Sequence, residues 1–175
     1  MIAFERHLAA GSTIDTIGRL VDKANALVRK VARPPLVQFL LRVALATPFW
    51  RSGILKWDGF LRINDIAISL FADEFMLHLP GGPYSFPAPA AMAFLSASAE
   101  IMLPILLILG LATRFTALGL LVMTAIIQLT VPDGWPVHIA WVAMAFAIMA
   151  GGAGWFSADH WLSKLHRRLF GARRD

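Results

Sequence analysis

Glu100 stands twelve residues from Ala88 and eleven from Leu111, in the middle of an apolar run bounded by those two positions. At 1.5 Å per helical residue it lies about 17 Å from either end, too deep for its side chain to reach water. An isolated carboxylate in hydrocarbon would neutralise, whereas one that faces a helix interface with a cation or hydrogen-bond donors can hold its charge. Ser96, Ala97 and Ala93 share its helical face and would let a second helix approach closely. Arg42 is the expected partner. It enters about six residues, or ~9 Å, into the preceding apolar run, and an antiparallel neighbour would bring Glu100 within reach of a guanidinium. The plainer readings are that Arg42 snorkels to headgroups and that Glu100 is a structural tie between helices.

Other candidates are weaker. Nine residues separate Arg51 from Arg42, which puts it on the opposite side of an ideal helix, and Lys56 falls near the Arg42 face at the membrane boundary. Both read as interfacial anchors, with an outward-facing anion or headgroup site as the alternative. His138 sits beside Trp135 and Trp141 and reads as an anchor too. Alternatively, it would accept a proton or contact a quinone together with Gln128, which ends a mildly polar Leu120–Thr124–Gln128 stripe. Glu74 and His78 have helical i, i+4 spacing but no third ligand, so no metal site is expected. The sequence has no Cys, which removes disulfides, thiolate metal sites, iron–sulfur clusters and c-type haem attachment. No P-loop, dinucleotide fingerprint, nucleophile elbow or metalloprotease motif occurs, and no covalently bound cofactor is expected.

The elements that would position these groups are membrane helices. Hydrophobic residues make up 58% of the 175 positions and charged ones 15%, too few to cover a water-soluble globule. Four apolar runs cover about 36–56, 88–111, 115–131 and 136–156, each near the length that spans ~30 Å of hydrocarbon. The first is the weakest, with Arg42, Pro48, Arg51 and Lys56 in it. Thr13 to Arg33 reads as a basic amphipathic helix with Ser12 and Asp15 as a capping box, ended by Pro34-Pro35. Leu61 to Leu79 also looks amphipathic. A surface helix or a re-entrant lid over the bundle would both fit. Ala143, Ala147 and Gly151 form a small-residue stripe for close packing.

Charge orients the chain. Residues 1–35 carry six Lys and Arg, residues 157–175 carry five, and the connection at 112–114 carries Arg114. The 57–87 connection has only Arg62 against Asp58, Asp65, Asp73 and Glu74. The positive-inside rule therefore predicts four spans with both termini cytoplasmic. The basic ends suit anionic lipid, and no nucleic-acid partner is expected.

Leu41-Arg42-Val43-Ala44-Leu45 and Ser52-Gly53-Ile54-Leu55-Lys56 are similar to the opening of the DoxX family of small bacterial membrane proteins. Ala99-Glu100, the Leu106–Arg114 turn, and Gly151-Gly152-Ala153-Gly154-Trp155-Phe156-Ser157-Ala158-Asp159 resemble its later segments. The 35-residue leader and the polar first run depart from the family pattern.

The resemblance covers about residues 36–162. It implies an all-α, four-transmembrane-helix bundle in a bacterial inner membrane, to which this sequence adds an amphipathic cytoplasmic segment (1–35). An extracytoplasmic helical loop and a short basic cytoplasmic tail (163–175) complete it. It carries over Arg42 and Glu100 as site positions. Some relatives are membrane subunits of thiosulfate:quinone oxidoreductases, and others associate with redox or metal-stress proteins. The expected role is a non-catalytic membrane subunit that anchors or couples a redox or stress-response complex. The alternatives are a quinone-linked oxidoreductase subunit with Glu100 as proton relay, and a small transporter.

Overall fold

The structure is a computed structural model that describes residues 2–170, with side chains placed for 17–168. It forms two units, Met1–Val37 and Gln38–Asp175. The first is dominated by one long helix, α1 (Ile2–Val31). It starts well before the expected Ser12 cap and runs straight through Gly11-Ser12. Leu8-Ala9-Ala10 are good helix formers, and a single Gly inside a helix costs only about 1 kcal/mol. Ile17, Val21, Val28 and Val31 form an exposed apolar stripe, with basic Arg29 and Lys30 in the last turn.

In the second unit the apolar runs are helices: α2 (Pro34–Ile54, which begins just before the division), α4 (Pro89–Leu109), α5 (Thr113–Thr130) and α6 (Trp135–Gly151). Among the described residues α4, α5 and α6 together with the turn before it (Pro132–Gly151) are long and apolar enough to cross a membrane. α2 has 21 residues, the length of α4, but carries Arg42 and Arg51 and is not counted with them. The four pack around one apolar core in which Leu45, Ala46 and Phe49 of α2 meet Leu107, Ala117, Leu120, Ala145 and Ile148. Lipid-side residues such as Met102, Phe115, Val122 and Phe146 stay exposed, as a bundle in hydrocarbon requires.

Local chemistry sets the helix ends. Pro89 begins α4 in the position where its missing N–H is harmless. Gly110 ends it with φ +71: its N–H donates to Leu107 and the N–H of Leu111 donates to Leu106, the paired bonds of a Schellman turn. α6 stops at Gly151, short of the expected 156, because Gly152 and Gly154 both take positive φ. The expected tail is instead an amphipathic helix, α7 (Ala158–Phe170). Arg173 and Arg174 of that tail lie outside the described residues.

The 57–87 connection departs most from expectation. It is not one helix but two small hairpins around a short helical piece. β1 (Trp57–Gly59) pairs with β2 (Arg62–Ile63), then come α3 (Asp65–Ser69) and a π-helical turn (Leu70–Glu74), and β3 (Met76–Leu79) pairs with β4 (Gly82–Ser85). The apolar spacing of Ile63, Ile66, Ala67, Leu70, Phe71 and Phe75 is helical only across α3 and the π turn. Gly81 and Gly82, at φ +103 and +138, then reverse the chain as only glycine readily can. The segment is no surface helix either, since Ala67 and Phe71 bury against Ala93 of α4.

Candidate functional site

Arg42 and Glu100 are 0% and 3% exposed, and the structure keeps them apart. The Arg42 Nη atoms donate to the carbonyls of Leu107 (3.4 Å) and Ile108 (3.5 Å) at the end of α4, and to that of Phe156. The Leu107 and Ile108 carbonyls lie at the negative end of α4, so the guanidinium complements the helix dipole there and also holds the loop carbonyl of Phe156. Leu107 lies seven residues past Glu100, about 10 Å along α4, which puts the carboxylate out of range. The expected Arg42–Glu100 pair therefore does not form.

Around Arg42 three separated segments close on one another. Asp159 of α7 accepts from the N–H groups of Ala112 (2.7 Å) and Thr113 (2.8 Å), capping α5 from across the turn. The Asp159 N–H donates to the carbonyl of Gly110 at 2.9 Å. A Cβ on Gly110 would lie 2.2 Å from Arg42 Nη1 and 2.4 Å from the Ser157 Cβ, so the crossing closes only over glycine.

Glu100 pairs with Lys56 instead. Lys56 also donates to Ser52 Oγ (3.0 Å), and the other Glu100 oxygen accepts from Ser96 Oγ (3.0 Å). Two features bring Lys56 there. Gly53 lets α2 touch α4, since a Cβ would stand 3.0 Å from the Glu100 backbone carbon and from its Cβ. Asn64 then folds the chain back after α2: its amide donates to Leu55 O (2.7 Å), its oxygen accepts from Ala67 N–H (2.7 Å) to cap α3, and its own N–H donates to Lys56 O (3.0 Å). Lys56 was read from sequence as a boundary anchor. Its signal was present, for fourteen residues is close to four turns and puts it on the Arg42 face. Asn64 and Asp159 gave no such signal, because their partners are backbone groups.

The ion pair lines a cavity of about 400 Å³ whose lining is otherwise largely apolar: Phe49 of α2, Leu95 of α4, Ile127 of α5 and Trp141 of α6. Phe71, Phe75 and Phe86 of the 57–87 connection complete it, stacked edge to face at 5.2 and 5.3 Å. His78 secures this cover: its Nδ1 is 3.0 Å from the carbonyl of Leu129 in α5. Glu74 ends the π turn while His78 lies in β3, so the i, i+4 relation suggested by their spacing is lost. Among the described residues no cluster of three or more His, Cys, Asp or Glu could hold a metal.

His138 and Gln128 do come together, with His138 Nδ1 2.7 Å from Gln128 Oε1. Gln128 donates its amide to Pro132 O at 2.9 Å, so its oxygen is the acceptor and His138 Nδ1–H the donor. The His138 ring lies 4.9 Å from that of Trp141, which lines the cavity, but His138 itself does not line it. Arg51 is exposed, on the side of α2 away from Arg42, and belongs to neither cluster. Of the small-residue stripe, Ala147 and Gly151 face α2: Gln38 donates to Ala147 O at 3.4 Å over the bare Gly151.

The chain thus holds a Lys–Glu pair in the wall of a largely apolar chamber, an arrangement suited to a ligand with an oily body and a polar head. An uncharacterised protein of Haemophilus influenzae is 25% identical over 142 residues, which cover 73% of this chain and 83% of that relative. No solved structure matches. The DoxX family model matches residues 37–133, more than half of the chain and both ends of the Lys56–Glu100 pair, and the protein is a membrane protein of the DoxX family.

Proposed function

We infer that the protein is a four-span inner-membrane subunit that binds a lipophilic, quinone-type molecule in the central cavity. The spans would be α2, α4, α5 and α6, with both termini cytoplasmic. The alternation of basic and acidic connections supports that orientation. Arg42 lets α2 join as the fourth span, because its charge is spent on carbonyls inside the bundle rather than exposed to lipid.

The cavity carries the ligand reading. Its volume of about 400 Å³ fits a head group and the first part of an isoprenoid tail, and its lining is oily except at Lys56, Glu100, Ser52, Ser96 and Thr130. A bound quinone would supply two-electron, two-proton redox chemistry, with the electrons delivered by a partner protein. In this chain Lys56 would donate a hydrogen bond to a head-group oxygen. Glu100, already held by Ser96, would take or release the proton.

The test is direct. Protein purified in mild detergent from its native membrane is extracted with organic solvent and assayed for quinone. The reading expects about one equivalent, lost in the Lys56→Met, Glu100→Met double variant. Wild-type protein that carries no quinone and shows no quenching of Trp fluorescence by added quinone would remove it. The chain would then be the non-catalytic anchor for a redox or stress-response complex.

A further inference from the structure

The end of the bundle where α4 stops and α5 begins bears a second feature, remote from the Lys56 cavity. α7 turns Trp161, Leu162 and Leu165 to one side, each more than half exposed. Lys164 and Arg168 run along the rim of that side at helical spacing. Just before the helix, Trp155 and Phe156 are 73% and 68% exposed. A groove of about 720 Å³ opens between these residues and the last turn of α4, walled by Ile108, Leu109, Trp155, Phe156, His160 and Lys164. The Lys164 ammonium lies 5.6 Å from the centre of the Trp161 ring.

α7 is held in register with this groove. Asp159, in its first turn, caps α5 and donates from its backbone to Gly110, so the helix cannot swing away without uncapping α5. α4 is one of the three helices apolar enough to cross the membrane, which sets its last turn, and the groove beside it, at headgroup level. Aromatic rings with flanking cations are what that level selects. The charge decides the class of ligand: Lys164 on the groove wall and Arg168 one turn further along α7, beside Trp161 and Leu165, complement an anionic headgroup.

We propose that α7, the 152–157 loop and the last turn of α4 form a binding site for an anionic phospholipid. One acyl chain lies against Ile108, Leu109 and Phe156, Trp155 and Trp161 sit at the glycerol level, and Lys164 and Arg168 hold the headgroup phosphate. The site is independent of whatever fills the central cavity.

The full-length protein in detergent is incubated with phosphatidylglycerol or phosphatidylcholine of matched chains, and lipid retained per protein is counted by native mass spectrometry. Wild type is expected to prefer phosphatidylglycerol at least tenfold. Lys164→Gln with Arg168→Gln should lower phosphatidylglycerol affinity roughly 25-fold, about fivefold for each cation near an anionic surface, and leave phosphatidylcholine retention unchanged. Arg51→Gln, a neutralisation elsewhere on the surface, should change neither. Equal retention of the two lipids by wild type, or an unchanged preference in the double variant, would overturn the proposal. Should the double variant fail to accumulate, wild type in 0.5 M salt serves: screening must erase the preference, and a preference that persists counts against the site.

Discussion

Two buried charges sit on facing helices of this bundle and are neutralised in opposite ways. Arg42 spends its Nη donors on main-chain carbonyls, at a crossing where the α4–α5 turn and the loop before α7 meet over Gly110. Glu100 meets a side-chain cation, Lys56, and the two form part of a cavity wall. A guanidinium satisfied by carbonyls is part of the scaffold, because no ligand can take those carbonyls away. A carboxylate and an ammonium that share a chamber can each turn to a guest. The difference separates a joint from a site, although burial alone makes the two residues look alike.

The largest expected effect tests the joint. Gly110→Ala places a methyl on top of Arg42 in a left-handed backbone conformation, and strain and overpacking together should cost on the order of 4 kcal/mol. A collapse of the unfolding midpoint in detergent, or loss of accumulation, would show it; a variant as stable as wild type would mean the crossing is looser than drawn. Next comes the site. Lys56→Met leaves Glu100 buried alone and should destabilise by about 3 kcal/mol, while Lys56→Met with Glu100→Met should recover most of that loss. Recovery of stability without recovery of ligand binding is the signature of a site, and the same double replacement of Arg42 and Glu100 should show no such recovery.

A smaller effect belongs to Asp159→Ala, which uncaps α5 and should cost about 1.5 kcal/mol. Faster amide exchange at Ala112 and Thr113 would report the loss directly. Arg51→Gln should be silent in stability and in ligand binding alike, and an effect there would mean that the outer face of α2 has a partner of its own.

The sequence shows the helices well and their pairings poorly. Apolar runs and helices coincide to within a few residues except at the end of α6, where Gly152 and Gly154 end the helix before hydrophobicity does. Glu100 was legible as the buried carboxylate because nothing else breaks its run. Its partner was not. Depth counted from estimated membrane edges points to Arg42, whereas the close approach of α2 to α4 at Gly53 brings Lys56 to Glu100. The 57–87 connection misled for a different reason. Its apolar residues mimic a helical stripe, but only Phe71 and Phe75 of them reach the cavity, from a π turn and the residue after it. Side chains that bind main-chain atoms, as Asn64 and Asp159 do, leave no complementary residue for a sequence to display.

The joint also sets an order of events. Phe156 follows Arg42 by 114 residues, and Asp159 follows Thr113 by 46. During synthesis Arg42 is therefore made long before its last acceptor exists, and α5 before the side chain that caps its first N–H groups. Only when the chain past α6 has emerged and turned back can the buried guanidinium and the start of α5 be satisfied together. The segment that locks the joint is made after all the helices it ties together, so the joint closes from the side that follows α6.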